Sequence, residues 1–248
     1  MIRFITLLCL CLTTLTADAT LIQMKKEART ALVVVNSDYD ETPLKSALQN
    51  GRSMRDFLKK QGFTLIYAEN VDKRGFVKLI REFSKSMKTN GISLFYYNGH
   101  AVQLKKENFL IPIESAIETD KHLLRQSIAL KTVTAIMQKA KSRLAVVILD
   151  AAYPKPFGTI YKPGRKGLAP LKAEKRTHYT LSRQPGTVGT STGFSNSFVR
   201  YFSQNAVDLK SGIKEMKTFS SGNETPWMID KSNERFYFVL PKSLPKQE

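Results

Sequence analysis

Apolar residues recur along this chain with two alternating periods. Thr30 to Asn36 is a short β-branched run, the pattern of a buried strand. From Leu44 to Gln61 the spacing lengthens: Leu44, Ala47, Leu48, Met54, Phe57 and Leu58 fall on one helical face, and Gly62 ends the pattern. Phe63 to Ala68 predicts the next strand. Asp72 to Lys88 predicts a helix with Phe76, Leu79, Ile80 and Phe83 on one face and Asp72 as its N-cap. Ile92 to Tyr97 predicts a third strand, Asn108 to Ile113 a hairpin arm, Thr132 to Ala140 a helix, and Leu144 to Leu149 a fourth strand. Tyr179 to Leu181 reads as a fifth strand, Ser195 to Phe202 and Asp208 to Met216 as helices, and Arg235 to Leu240 as a last strand.

Strands alternating with helices imply β-α-β units and a mainly parallel sheet. The pattern therefore predicts one α/β domain over residues 30–240. A short segment, 20–29, precedes it and a tail, 241–248, follows. Residues 153–178 interrupt the alternation with Pro154, Pro156, Gly158, Pro163, Gly164, Gly167, Pro170 and many lysines, and predict a long loop. No internal repeat is visible.

The first 19 residues read differently. Arg3 precedes an apolar run from Phe4 to Leu12, and Ala17-Asp18-Ala19 has the small-x-small pattern of a cleavage site. The run is too short to span a bilayer, which needs about 20 apolar residues. This predicts a secretory signal peptide over residues 1–19 and a soluble exported product, secreted or periplasmic.

Composition narrows the chemistry. Of 248 residues, 42% are hydrophobic and 24% charged, an ordinary globular balance that excludes disordered and low-complexity classes. The two cysteines are Cys9 and Cys11, both inside the predicted leader, so the exported chain would hold no thiol nucleophile, disulfide or cysteine metal ligand. Three histidines, His100, His122 and His178, make a multi-histidine metal site improbable, and no cofactor is expected. The net charge is +18, and removing residues 1–19 leaves it unchanged because one Arg and one Asp go together.

In a parallel sheet, functional groups gather beyond the carboxyl ends of the strands. Two ends carry candidates: Tyr97-Asn98-Gly99-His100 and Leu149-Asp150-Ala151-Ala152. If their strands are neighbours they lie about 4.8 Å apart, and residues just past both ends can share a site.

Taken with the order of elements, these segments resemble the caspase/metacaspase group of cysteine peptidases, and the bacterial caspase-like domains in particular. Ala31 to Tyr39, Pro43-Leu44, Gly62-Phe63, Asn108 to Pro112, Asn196 to Phe198 and Pro226-Trp227 fit the same likeness, which runs from residue 30 to about 240. The resemblance implies a three-layer sandwich with a central, mostly parallel sheet of about six strands. It also implies a cysteine–histidine dyad, with His100 at the general-base position and Ala152 where the family places its cysteine.

The departures from the family pattern decide the expected function. A methyl group at Ala152 cannot attack a carbonyl, and the dyad needs a thiolate. In one well-studied serine protease, loss of the nucleophile costs about a millionfold in turnover. Ala101 stands where the family has a glycine beside the substrate. In the basic-specific members an acidic residue lines the pocket at the position of Asn50, so the shape is kept and a charge is lost. Asp150, the other acidic pocket position, is retained. Tyr153 replaces a frequent arginine, and Arg183 falls in a pocket-lining segment where it would repel a basic substrate side chain. Several departures together read as natural loss of catalysis rather than a single engineered change.

Other readings stand beside this one. His122 and His178 read as surface residues. A hydroxyl nucleophile would need His100 as its base, and Ser37, Thr180, Ser182 and Thr190 are candidates, although no Gly-x-Ser-x-Gly elbow surrounds any of them. Residues 154–183 hold Lys155, Lys162, Arg165, Lys166, Lys172, Lys175, Arg176 and Arg183 against Glu174 alone. Such a patch attracts anionic polymers or acidic faces, reads equally as a solvated loop, and in the family is often where the chain is processed. The expectation is an exported caspase-fold pseudopeptidase that keeps a peptide cleft and acts by binding a peptide or protein. An active caspase-like paralogue or an anionic surface polymer is a further candidate partner; a specific nucleic acid is not. The rivals are an active hydrolase using a hydroxyl with His100, and a basic surface protein that binds anionic polymers or membranes.

Overall fold

The computed structural model describes residues 20–190, 193–218 and 225–244. The expected signal peptide, residues 1–19, lies outside them. Residues 20–26 form helix α1, and β1 follows at Arg29–Val35. Then come α2 (Ala47–Lys60), β2 (Thr64–Glu69), α3 (Lys73–Ser86), β3 (Ile92–Asn98), β4 (Ala101–Leu104) and β5 (Glu107–Leu110). The chain continues through α4 (Asp120–Gln126), β6 (Ile128–Ala129), α5 (Leu130–Lys139), β7 (Leu144–Asp150), β8 (Thr177–Leu181), α6 (Gly193–Gln204), α7 (Leu209–Thr218) and β9 (Trp227–Asp230).

Six strands form one sheet in the order β2-β1-β3-β7-β8-β9. All neighbours are parallel except β9, which runs antiparallel to β8. The apolar runs of β1, β3 and β7 are buried at every position because helices cover both faces. Alternate side chains sort into two cores. Ala31, Val33, Leu94, Tyr96, Val146 and Ile148 pack with α2, α6 and α7. Leu32, Val34, Phe95, Tyr97, Val147 and Leu149 pack with α3 and α5. This is the expected three-layer α/β sandwich. A second sheet, β4-β5-β6, sits beyond the end of β3 over its own small core of Tyr39, Val102, Phe109, Ile111, Leu123 and Phe157.

Local chemistry fixes the element ends. The Asp72 side chain accepts from Gly75 N at 2.7 Å and starts α3, as its sequence position predicts. Thr119 caps α4 by accepting from His122 N. That seven-residue helix carries too little periodicity to be read from sequence.

The last strand is a correction. Residues 235–240 contribute only an isolated bridge at Tyr237; the sixth strand is Trp227–Asp230. The backbone around 236–238 is satisfied otherwise. Leu209 N donates to Phe236 O at 2.8 Å, and the Arg29 guanidinium donates to Tyr237 O and Phe238 O. Phe236 and Phe238 meanwhile join an aromatic cluster with Phe57, Phe63, Phe198 and Phe202. The apolar run predicted burial correctly and pairing wrongly.

Candidate functional site at the ends of the third and seventh strands

The strands β3 and β7 pair in register with Asn98 opposite Asp150. His100 and Ala152 are thus each two residues past an aligned pair, and both lie at the carboxyl edge of the sheet. Asn98 and Asp150 share the parity of the α2/α6 face, so their side chains enter that layer.

Gly99 makes the turn into His100 possible. A Cβ there would lie 2.5 Å from the Tyr97 hydroxyl and 2.7 Å from the Tyr39 hydroxyl, closer than any real contact. Tyr39 holds the turn in return: its hydroxyl accepts from His100 N at 3.0 Å and donates to Ile111 O. The His100 ring lies against Tyr39, with centroids 4.3 Å apart, and meets Tyr153 edge-on at 5.8 Å.

His100 is fully buried. Its Nε2 is 2.8 Å from both the carbonyl oxygen and the hydroxyl of Thr42. A carbonyl only accepts, so Nε2 carries the proton. The Thr42 hydroxyl in turn donates to Pro156 O at 3.3 Å. Nδ1 holds the lone pair, buried and without a hydrogen-bond partner among the described residues. Burial lowers the imidazole pKa to about 4, with the Thr42 carbonyl opposing weakly. His100 is therefore a neutral ring anchored to Thr42. Thr42 is a contact that sequence reading missed, and Ser37, Thr180 and Ser182 have their own partners in Leu44 O, His178 and Ala151 O.

Asp150 is also fully buried. Oδ2 accepts from Ser195 Oγ at 2.5 Å, and Asn98 Nδ2 lies 3.5 Å away. The Tyr96 hydroxyl meets Ser195 Oγ at 2.8 Å, and Tyr153 donates to Asn98 Oδ1 at 3.2 Å. Burial raises the Asp150 pKa to about 6, against the Ser195 hydrogen bond and the positive field of Arg183. Arg183 is 3% exposed. It packs so closely on Gly189 that a Cβ at that position would overlap its guanidinium. Arg183 thus sits inside the molecule as a counter-charge to Asp150. Ser195 was legible in principle: it lies on the Phe198/Phe202 face of α6, where a polar residue is out of pattern.

Ala152 is 1% exposed and has φ of +74°. An L-residue in that region costs about 1–2 kcal/mol, and such strain gathers where function needs a fixed geometry. Ala101 begins β4 and is buried, and Asn50 is buried on α2 in the layer that Asp150 enters. The predicted site residues thus share one end of the sheet. They are buried rather than lining an open groove, and over His100 the Thr42 hydroxyl, donating to Pro156 O, forms a roof.

His178 is a second correction. It is fully buried, not on the surface. It stands opposite Asp230 in the β8–β9 register, with Nδ1 to Oδ2 at 2.8 Å, and Nε2 meets Thr180 Oγ1 at 2.7 Å. No three of His, Cys, Asp or Glu gather as a metal site among the described residues.

The family model for the caspase domain matches residues 28–235, most of the chain. With the sandwich and its strand-end histidine, that match places the protein among the caspase-domain proteins of the peptidase family. A comparison with curated proteins gives no match.

Proposed function

We propose that this caspase-domain protein is an exported pseudopeptidase, which binds where its relatives cut. The observation that carries the reading is Ala152 at the end of β7, beside the strand that delivers His100, in a chain with no cysteine after Cys11. The state of His100 supports it. A base must take a proton from a nucleophile. Here Nε2 donates its hydrogen bond to Thr42 O, and the lone pair on Nδ1 meets no hydroxyl or thiol donor among the described residues.

The same geometry weighs against a hydroxyl hydrolase. Thr42 Oγ1 is within reach of Nε2, but its proton points to Pro156 O, and among the described residues no carboxylate orients the imidazole from Nδ1. The roof over His100 makes binding at this site conditional: a peptide enters once the Thr42–Pro156 contact opens. Export rests on the leader-like residues 1–19, and a peptide segment or an active caspase-like relative is the partner this reading favours.

The test is a fluorogenic peptide panel with Arg, Lys or Asp before the scissile bond, read with wild type, His100→Ala and Ala152→Cys. Wild type and His100→Ala are expected to match the blank. Ala152→Cys is expected to gain slow cleavage, limited by opening of the roof. Wild-type cleavage that disappears in His100→Ala would overturn the reading.

A further inference from the structure

Two basic turns far apart in sequence are fastened side by side at one edge of the molecule. The first is Lys105-Lys106, the two-residue turn joining β4 to β5. Both residues have positive φ, 50° and 67°, which is a conformation that favours Asn and Gly. The second is Arg165-Lys166 in the long loop, which bridges onto the hairpin through the Gln103–Arg165 pair. All four side chains are exposed.

The loop is not free here. Gln103 and Asn108 face each other across the hairpin and both reach over to it. Gln103 Nε2 donates to Lys166 O at 2.9 Å. Asn108 Nδ2 donates to Ala169 O at 3.0 Å, and Ala169 N donates to Asn108 Oδ1 at 2.7 Å. Leu168 and Ala169 are buried behind these bonds. Between the turns lies a cleft of about 250 Å³ lined by Gln103, Leu104, Lys105, Lys106, Gly164 and Arg165. None of those residues is acidic, and Gly164 faces open space. The nearby carboxylate, Glu107, is engaged by Lys131 at 2.6 Å.

Buried side chains thus clamp two exposed basic turns together, the first of them in a left-handed conformation, with no acidic residue lining the cleft between them. An oxyanion ligand would complement that charge. Arg165 offers a planar fork for phosphate or sulfate oxygens, and the lysines offer mobile point charges around it. We propose that Lys105, Lys106, Arg165 and Lys166 form a preorganised site for a linear polyanion carrying phosphate or sulfate groups. This goes beyond the pseudopeptidase reading and does not depend on it.

The test titrates the protein with inorganic polyphosphate and, separately, with heparin at 0.05–0.2 M salt. Three proteins are compared: wild type, a cluster variant with all four residues changed to Gln, and a charge-matched control with Arg74, Lys78, Arg81 and Lys85 changed to Gln on the exposed face of α3. An Arg165→Gln/Lys166→Gln double variant leaves the strained turn untouched, in case the fourfold change disturbs the hairpin. The cluster variant is expected to lose affinity about tenfold or more, with a flatter salt dependence, and the double variant to lose part of this. The control is expected to lose less than about threefold. The polymer bound more tightly names the phosphate or the sulfate source. Failure of wild type to bind either polymer at 0.15 M salt, or equal losses in cluster and control variants, would overturn the proposal in favour of a merely basic surface.

Discussion

Replacing Asp150 by Asn should change how stability depends on pH, by an amount the site itself sets. In the unfolded chain Asp150 titrates near 3.8; in the fold, burial raises it to about 6. Between those values the folded state binds the extra proton, so this group's contribution to stability falls as pH rises through that window. Each pH unit is worth about 1.4 kcal/mol, so the whole contribution is about 3 kcal/mol. His100 acts in the opposite sense. Its neutral form is favoured in the fold, so its contribution is complete above 6.5 and is lost as pH falls toward about 4. In wild type the two groups largely compensate between pH 4 and 6. Asp150→Asn keeps an acceptor for Ser195 and removes one of the two titrations. Urea unfolding of both proteins at pH 4, 5, 6 and 7 reads the outcome. The stability of the variant relative to wild type should rise by about 2 kcal/mol from pH 4 to pH 7, because part of the full span already lies below pH 4. Parallel curves would refute the claim that Asp150 is a desolvated carboxylate.

Further predictions concern the frame. Phe198 is fully buried against Phe57, Phe194, Phe202 and Phe238, so Phe198→Ala should cost about 3–5 kcal/mol in denaturant unfolding. Asp72→Ala removes the side-chain cap of α3 and should cost about 1 kcal/mol, read as a lower unfolding midpoint at unchanged slope.

Much of the frame was legible because burial on both faces leaves an unmistakable mark. Leu144 to Leu149 is an uninterrupted apolar run and Ile92 to Tyr97 is broken only by Ser93, and the polar residues that end them, Asp150 and Asn98, prove to be register partners. What escaped depended on partners distant in sequence. His178 looked like a surface histidine because the residue that accompanies it into the interior, Asp230, arrives on an antiparallel edge strand 52 residues later. The run at 235–240 looked like a strand because aromatic and aliphatic residues follow Arg235 without a break. The Tyr237 and Phe238 carbonyls are taken instead by Arg29, from the other end of the chain. The roof over His100 was invisible for the same reason: Thr42 lies in a short polar connection, and its value comes only from meeting His100 and Pro156 in space. The basic loop read as an anion-attracting patch, a solvated loop or a processing site, and its fastening to the hairpin by Gln103 and Asn108 left no mark in its own sequence.

The proposed pseudopeptidase function requires that this caspase domain does not cut peptide bonds. The most direct measurement is prolonged incubation of the wild-type protein with a complex peptide library, followed by mass spectrometry of new termini, which presumes no cleavage specificity. No termini beyond those of the buffer blank are expected. A recurring cut sequence that accumulates with time and disappears in His100→Ala would contradict it.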